Sequence, residues 1–220
     1  MKRGAWLAGH LGEIVPQAPR KEQIERTAHA TNRLGSRKLA DEYGEAGGVR
    51  TPDAVRSSSD IGDLFAWLVE LRRPNIVVEF GAAFGVSGMY FVTGLDAARA
   101  GRLYSFEIND EWADIAERNI QSLSDRFTLT RGAFEIHVST VVPSSIDLAF
   151  VDAIHTYEFV QRQFEILRPR MSAGGIIMFD DINFAKPGAQ MRRAWEEIAA
   201  RHDVAAAVEV HGRLGIAELS

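Results

Sequence analysis

The 220-residue sequence contains no cysteine. That excludes disulfides, thiolate zinc sites and cysteine nucleophiles, and it accords with a reducing compartment. No apolar run approaches the ~18 residues that a membrane helix needs, so no membrane association is expected. The opening stretch MKRGAWLAGHLGEIVPQ is basic at first but lacks a sustained apolar core, which makes it a poor secretory signal. The expected location is therefore cytoplasmic. Positive charge is also in short supply: 25 Lys and Arg stand against 30 Asp and Glu, a formal charge of −5. The basic pairs Arg72-Arg73 and Arg192-Arg193 are isolated, so nucleic acid is not an expected partner. There is no internal repeat and no low-complexity tract. What remains is 46% apolar and 25% charged, the balance of an ordinary globular chain long enough to bury a substantial core.

Residues 1–55 are richer in charge and weaker in apolar pattern than the rest. The stretch from Lys21 to Glu42 suits one or two polar helices with too few large apolar residues for a core of their own. We expect an N-terminal arm or lid over 1–55 and one catalytic domain over 56–220. The arm is expected either to cover the substrate or to mediate a homodimer. Ser57, Ser58, Ser59 and Asp60 supply N-cap residues ahead of the helical pattern IGDLFAWLVEL. From Pro74 onward, strands alternate with helices. NIVVEF, RLYSFEI, FTLTRG, IDLAFVDA and GGIIMFDDI read as five buried strands. DVAAAVEV and LGIAELS, joined by HGR, read as a closing hairpin. The expected fold is α/β: a doubly wound, mostly parallel, Rossmann-like sheet of seven strands with a C-terminal antiparallel hairpin and an N-terminal helical arm.

Ligands of such sheets sit beyond the carboxyl ends of the strands. The first strand runs into Glu79-Phe80-Gly81-Ala82-Ala83-Phe84-Gly85-Val86-Ser87. Gly81 and Gly85 allow a tight turn, a role that strand-to-helix turn chemistry alone also explains. Ala83 stands where a dinucleotide fingerprint needs glycine. Glu79 would repel a pyrophosphate but suits an ammonium. The second strand ends at Glu107, at the spacing where an acid holds a ribose diol; a helix-start acid is the plainer alternative. The third ends at Gly132-Ala133-Phe134, small enough at its edge for a flat adenine.

VVEFGAAFGVSG, YSFEIND, DLAFVDAIHTYEFV and GGIIMFDDIN, in this order and spacing, resemble the catechol O-methyltransferase-like class I methyltransferases. The resemblance covers about residues 50–220 and implies S-adenosylmethionine as cofactor. It places Glu79, Gly81, Ala83, Gly85 and Ser87 around the methionine end, with Ser58 or Ser59 beside it. Glu107 falls on the ribose hydroxyls, and Gly132, Ala133 and Phe134 beside the adenine. Asp152 is also expected to contact the cofactor.

The fourth and fifth strands end in Asp152 and in Asp180-Asp181. Adjacent strand ends are close, and three carboxylates together call for a cation such as Mg²⁺. The resembling family has Asp followed by Asp-Asn as its metal set, so Asp181 departs from the pattern by adding a charge. His155, three positions after Asp152, stands where that family has a lysine base, and its ordinary pKa suits a general base. The expected function is methyl transfer to a hydroxyl of a small molecule, Mg²⁺-assisted at Asp152, Asp180 and Asp181, with His155 and Asp152 catalytic. Catechols, other phenols and sugar hydroxyls of natural products are all eligible acceptors. The alternatives are a metal-independent methyltransferase using His155, and a nucleotide-binding protein without this activity. His10, His29, His137, His202 and His211 show no ligand spacing, whereas Trp6, Tyr43 and Phe184 are candidates for lining a substrate pocket.

Overall fold

The structure is a computed structural model and describes residues 5–10, 12–39, 48–143 and 145–220. The elements before the main alternation are α1 (Trp6–Gly9), α2 (Lys21–Asn32), β1 (Arg37–Lys38), β2 (Val49–Arg50), α3 (Pro52–Val55) and α4 (Ser59–Arg72). Then come β3 (Ile76–Phe80), α5 (Val86–Ala98), β4 (Arg102–Glu107), α6 (Asp110–Gln121), β5 (Phe127–Arg131) and α7 (Phe134–Val141). The chain closes with β6 (Ile146–Val151), α8 (Tyr157–Leu167), β7 (Met171–Phe179), α9 (Met191–Ala199), β8 (Val204–Val210) and β9 (Leu214–Leu219). β1 pairs with β2, and the main sheet has seven strands in the order β5-β4-β3-β6-β7-β9-β8. This is the mostly parallel sheet with a closing antiparallel hairpin that the alternation implies. Two differences are local. β7 begins at Met171, before the apolar run that marks it in sequence, and the short elements α1, α3, β1 and β2 carry no readable signal.

The chain divides into two compact units, Val15–Val138 and the combination of Met1–Ile14 with Ser139–Ser220. In the first, β3, β4 and β5 are parallel neighbours. α5 is buried almost all round, as an unbroken apolar helix must be. α4 packs against it at close range, since a Cβ on Gly62 would fall 2.3 Å from the Tyr90 ring. α2, the helix of the expected arm, is held in this unit by polar contacts. Glu25 accepts hydrogen bonds from Tyr90 Oη and Arg56, both at 2.7 Å, and Lys21 Nζ donates to Asp63 at 2.6 Å. Burial disfavours the Glu25 carboxylate, but those two hydrogen bonds hold its pKa below the usual value.

In the second unit, β6 and β7 are parallel, while β7–β9 and β9–β8 are antiparallel. Every residue of β9 is buried, whereas β8 alternates, as expected at a sheet edge. α9 buries Met191, Ala194, Trp195 and Ile198, the i, i+3, i+4, i+7 stripe of an amphipathic helix. Glu218, buried on β9, accepts the N–H groups of Trp6 at 2.9 Å and Leu7 at 2.7 Å. Those amides open α1 and have no partner within it, so the carboxylate satisfies donors that would otherwise be orphaned.

Candidate active site

The glycine turn after β3 is built from three left-handed residues, Gly81 (φ +83°), Ala83 (φ +46°) and Gly85 (φ +81°). Left-handed backbone is unfavourable for alanine and persists only where neighbours enforce it. Glu107 does so: its Oε2 accepts the Ala83 N–H at 2.8 Å, and its Oε1 accepts the Asn109 N–H at 2.9 Å. The Gly81 and Ala82 amides both donate to the Phe106 carbonyl at 3.0 Å, and the Gly132 amide donates to the Glu107 carbonyl at 2.8 Å. Glu107 therefore joins the ends of β3 and β4, which is where the sequence argument needs an acid. Gly85 is fixed by packing as well as by φ, because a Cβ there would come within 2.9 Å of Ala116 Cα.

Glu79 is fully buried beneath this turn. Ser87 Oγ donates to its Oε1 and Ser105 Oγ to its Oε2, each at 2.5 Å. The structure thus brings Glu79 and Ser87 together, as the resemblance implies, with the carboxylate serving two hydroxyls under the surface. Phe134 is also in the core: its ring stacks on Phe80 at 3.5 Å and meets Phe106 edge-on at 5.4 Å. The edge left beside Glu107 is formed by Gly132 and Ala133, both half-buried, while the His137 ring lies against Gly132. Ser59 is half-buried at the start of α4, and the N-cap Ser58 makes no capping bond with its side chain. Phe84 stacks on Trp112 at 4.6 Å, and these two with Leu39 and Ile115 form an apolar wall against which Ala83 packs.

In the other unit, the end of β6 delivers Asp152 and His155. His155 Nε2 lies 3.2 Å from Asp152 Oδ1, and both side chains are largely shielded. Burial raises the pKa of Asp152, and the negative charge of Asp180 adds to it, pushing the value up to about 6. Burial opposes the charged form of His155. The Asp152 hydrogen bond and charge, with the charges of Asp181 and Asp180, outweigh that and hold its pKa above the ordinary value.

Asp180 and Asp181 are oriented elsewhere. Arg213 grips Asp180 with both prongs, Nε to Oδ1 at 3.0 Å and Nη2 to Oδ2 at 2.8 Å. Its Nε is also 3.0 Å from Asp181 Oδ1. These contacts raise the Arg213 pKa, the Asp180 hydrogen bonds first among the causes. Among the described residues no group of three His, Cys, Asp or Glu side chains is placed to hold a metal ion. Asp152, Asp180 and Asp181, the expected magnesium set, are not such a group as placed here, and Arg213 pairs with two of them. Mg²⁺ requires near-octahedral oxygen ligation, and a guanidinium holds the oxygens two of those carboxylates would lend.

Arg213 is the residue the sequence argument missed. Its place follows from register: β9 runs antiparallel to β7 with Gly215 opposite Phe179, which sets Arg213 opposite Asp181. The turn before it carries two left-handed residues, His211 and Gly212, and the Ile182 amide donates to the Arg213 carbonyl at 2.9 Å. Of the pocket candidates, Phe184 is exposed with its ring 5.4 Å from that of His155. The Trp6 ring stacks on His10 at 4.0 Å, and Tyr43 lies outside the described residues.

Residues 78–182 match the family described as a methyltransferase domain. The chain is 30% identical over 155 residues to the uncharacterized protein y4gI of Sinorhizobium fredii, covering 63% of this chain and 16% of that one. It is 26% identical over 133 residues to a rhamnosyl O-methyltransferase of Mycobacterium leprae, covering 59% and 57%. The chain thus spans well under two thirds of either relative. Among solved structures, the O-methyltransferase TomG of Streptomyces achromogenes, crystallised with S-adenosylmethionine, shares the fold. The TM-score is 0.70 at 18% identity, over 99% of this chain and 95% of that one. No helix among the described residues is long and apolar enough to cross a membrane.

Proposed function

We propose that the chain, whose residues 78–182 match a methyltransferase domain family, is a class I methyltransferase that methylates a hydroxyl of a small molecule, with His155 as the general base. The cofactor reading is S-adenosylmethionine, which when bound supplies an electrophilic methyl group on a sulfonium. Glu107 would hold its ribose: a carboxylate serves more than two donors, so holding a diol is compatible with clamping the amides of Ala83 and Asn109. Gly81, Ala83, Gly85 and Ser87 would shape the methionine end, with Glu79 acting on it through Ser87. Gly132 and Ala133 would flank the adenine, and Ser59 would approach from α4.

The observation that carries the oxygen-acceptor reading is the His155–Asp152 pair. With Nε2–H directed at Asp152, the lone pair of His155 lies on Nδ1, the atom that would take the acceptor's hydroxyl proton. Asp152 would fix that tautomer and stabilise the imidazolium that forms, the part a carboxylate plays beside a catalytic histidine. Phe184, exposed beside the imidazole, offers a face for a ring-shaped acceptor. The related protein named for rhamnosyl O-methylation makes a sugar hydroxyl the first acceptor to try, with phenols second. A homodimer in which residues 1–55 contribute remains part of this reading.

The test is calorimetric binding of S-adenosylhomocysteine to wild type and Glu107→Ala, then methyl transfer to glycoside and phenol panels by wild type and His155→Ala. Binding that weakens in Glu107→Ala, with turnover lost in His155→Ala, supports the proposal. Absence of any binding to wild type would overturn it.

A further inference from the structure

The cluster at the ends of β6 and β7 holds three acids and two bases, His155 beside Asp152 and Arg213 on Asp180 and Asp181. Asp180 is 3% exposed in its side chain, Asp181 30% and Asp152 15%. Carboxylates this shielded are stable as anions only when a cation compensates them. Arg213 supplies that cation with a planar fork whose spacing matches a carboxylate, and a guanidinium stays charged throughout the working pH range. The loop holding the acids is bound to the turn that carries Arg213. Asn183 Nδ2 donates to the Gly212 carbonyl, the Ile182 amide donates to that of Arg213, and Phe184 N–H closes the loop on the Asp181 carbonyl at 2.8 Å. Asp181 itself is left-handed, at φ +51°. An aspartate held in that conformation with its carboxylate on Arg213 belongs to an arrangement built around the guanidinium.

We infer that Arg213 is the resident counter-cation of this cluster, occupying by covalent attachment the role a divalent ion would fill, and that removing its guanidinium converts Asp152, Asp180 and Asp181 into a divalent-cation site. The inference rests on the methyltransferase reading only for its catalytic consequence, that the acceptor hydroxyl is activated by His155 alone. The electrostatic claim stands on the four side chains. It also bears on specificity, because an acceptor need not present two adjacent oxygens to a metal. A lone sugar or phenol hydroxyl would suffice.

The experiment is Mn²⁺ titration, followed by electron paramagnetic resonance and by melting temperature, on wild type, Arg213→Ala, Arg213→Gln and Arg213→Ala/Asp180→Asn. S-adenosylhomocysteine binding, which the reading assigns chiefly to Glu107 and the turn after β3, is measured on each sample as a check of folding. Wild type is expected to show no saturable uptake below about 1 mM free Mn²⁺, the weak end of protein cation sites. Arg213→Ala and Arg213→Gln are expected to bind at least about a hundredfold more tightly, because uncompensated carboxylates recruit a cation. The double variant should lose that gain. Saturable uptake by wild type below about 1 mM free Mn²⁺ would overturn the inference, whatever the variants do. So would an arginine variant that binds S-adenosylhomocysteine normally and takes up no Mn²⁺. A wild type that binds no S-adenosylhomocysteine yet shows the expected Mn²⁺ pattern would sink the methyltransferase reading and leave this one standing.

Discussion

Replacing Glu107 by glutamine tests the cofactor half of the site most directly, since it keeps the shape and removes one acceptor. The two carboxylate oxygens serve different amides, Ala83 N–H on Oε2 and Asn109 N–H on Oε1. Glutamine has one oxygen and one NH₂, so in either orientation one amide meets a donor. A buried amide left without an acceptor costs about 1–3 kcal/mol, and the surviving bond loses its charge assistance. The sum is about 2–4 kcal/mol. For a chain of this size about 2–4 °C of melting temperature follows each kcal/mol. The expected fall is therefore on the order of 5–15 °C, read by urea and thermal denaturation, with S-adenosylhomocysteine binding measured alongside. A loss below about 0.5 kcal/mol, within the ordinary scatter of surface substitutions, would refute the amide clamp. Full destabilisation with unchanged binding would instead refute contact between Glu107 and the ribose.

Gly85→Ala adds a Cβ at φ +81° within 2.9 Å of Ala116 Cα. Left-handed strain and overpacking together should cost about 2–5 kcal/mol in urea unfolding, and a loss under about 1 would show that the turn relaxes freely. Methyl transfer should rise with pH along a limb centred above the ordinary histidine value, because the His155 pKa is raised. In Asp152→Asn that limb should move down, whereas a rate profile unaltered by the substitution would remove His155 from the proton path. Stability should run the other way. A raised histidine pKa stabilises the fold fully below the unfolded value near 6.5, and that contribution is lost as pH rises through the folded value. The stability difference between wild type and His155→Gln should accordingly shrink from pH 6 to pH 9. Glu218→Gln leaves one of the Trp6 and Leu7 amides facing a donor. Hydrogen exchange at those two amides should quicken at least about tenfold, the equivalent of one net hydrogen bond, and unchanged protection would deny the cap.

The fold was legible because short, mostly apolar strand runs alternate regularly with helical stretches. NIVVEF and LGIAELS can hardly be anything but buried strands once the periodicity is laid out. Glu107 was legible for a related reason: its distance from the glycine turn is set by one strand–helix–strand crossover. The charge pairing around Asp180 was not. It depends on which residue of the last strand stands opposite Phe179, and antiparallel register leaves no mark in composition or period. In sequence the three acids read as a metal set, with no sign that the turn His211-Gly212-Arg213 stands beside Asp180 and Asp181. Glu79 illustrates a different limit. Its type and position are readable, but its enclosure between Ser87 and Ser105 comes from neighbours on two other elements.

The carboxylate of Glu218 and the amide of Trp6 are separated by 212 positions in the chain. During vectorial synthesis at about 5–20 residues per second, α1 would emerge and wait on the order of 10–40 s before the strand that caps it exists. A four-residue helix is too short to persist alone over that interval. Residues 6–9 must then emerge without their cap, open to proteases or holdase chaperones, and dock only after β9 has been made. Resistance of this segment to limited proteolysis should therefore be among the last properties a nascent molecule acquires.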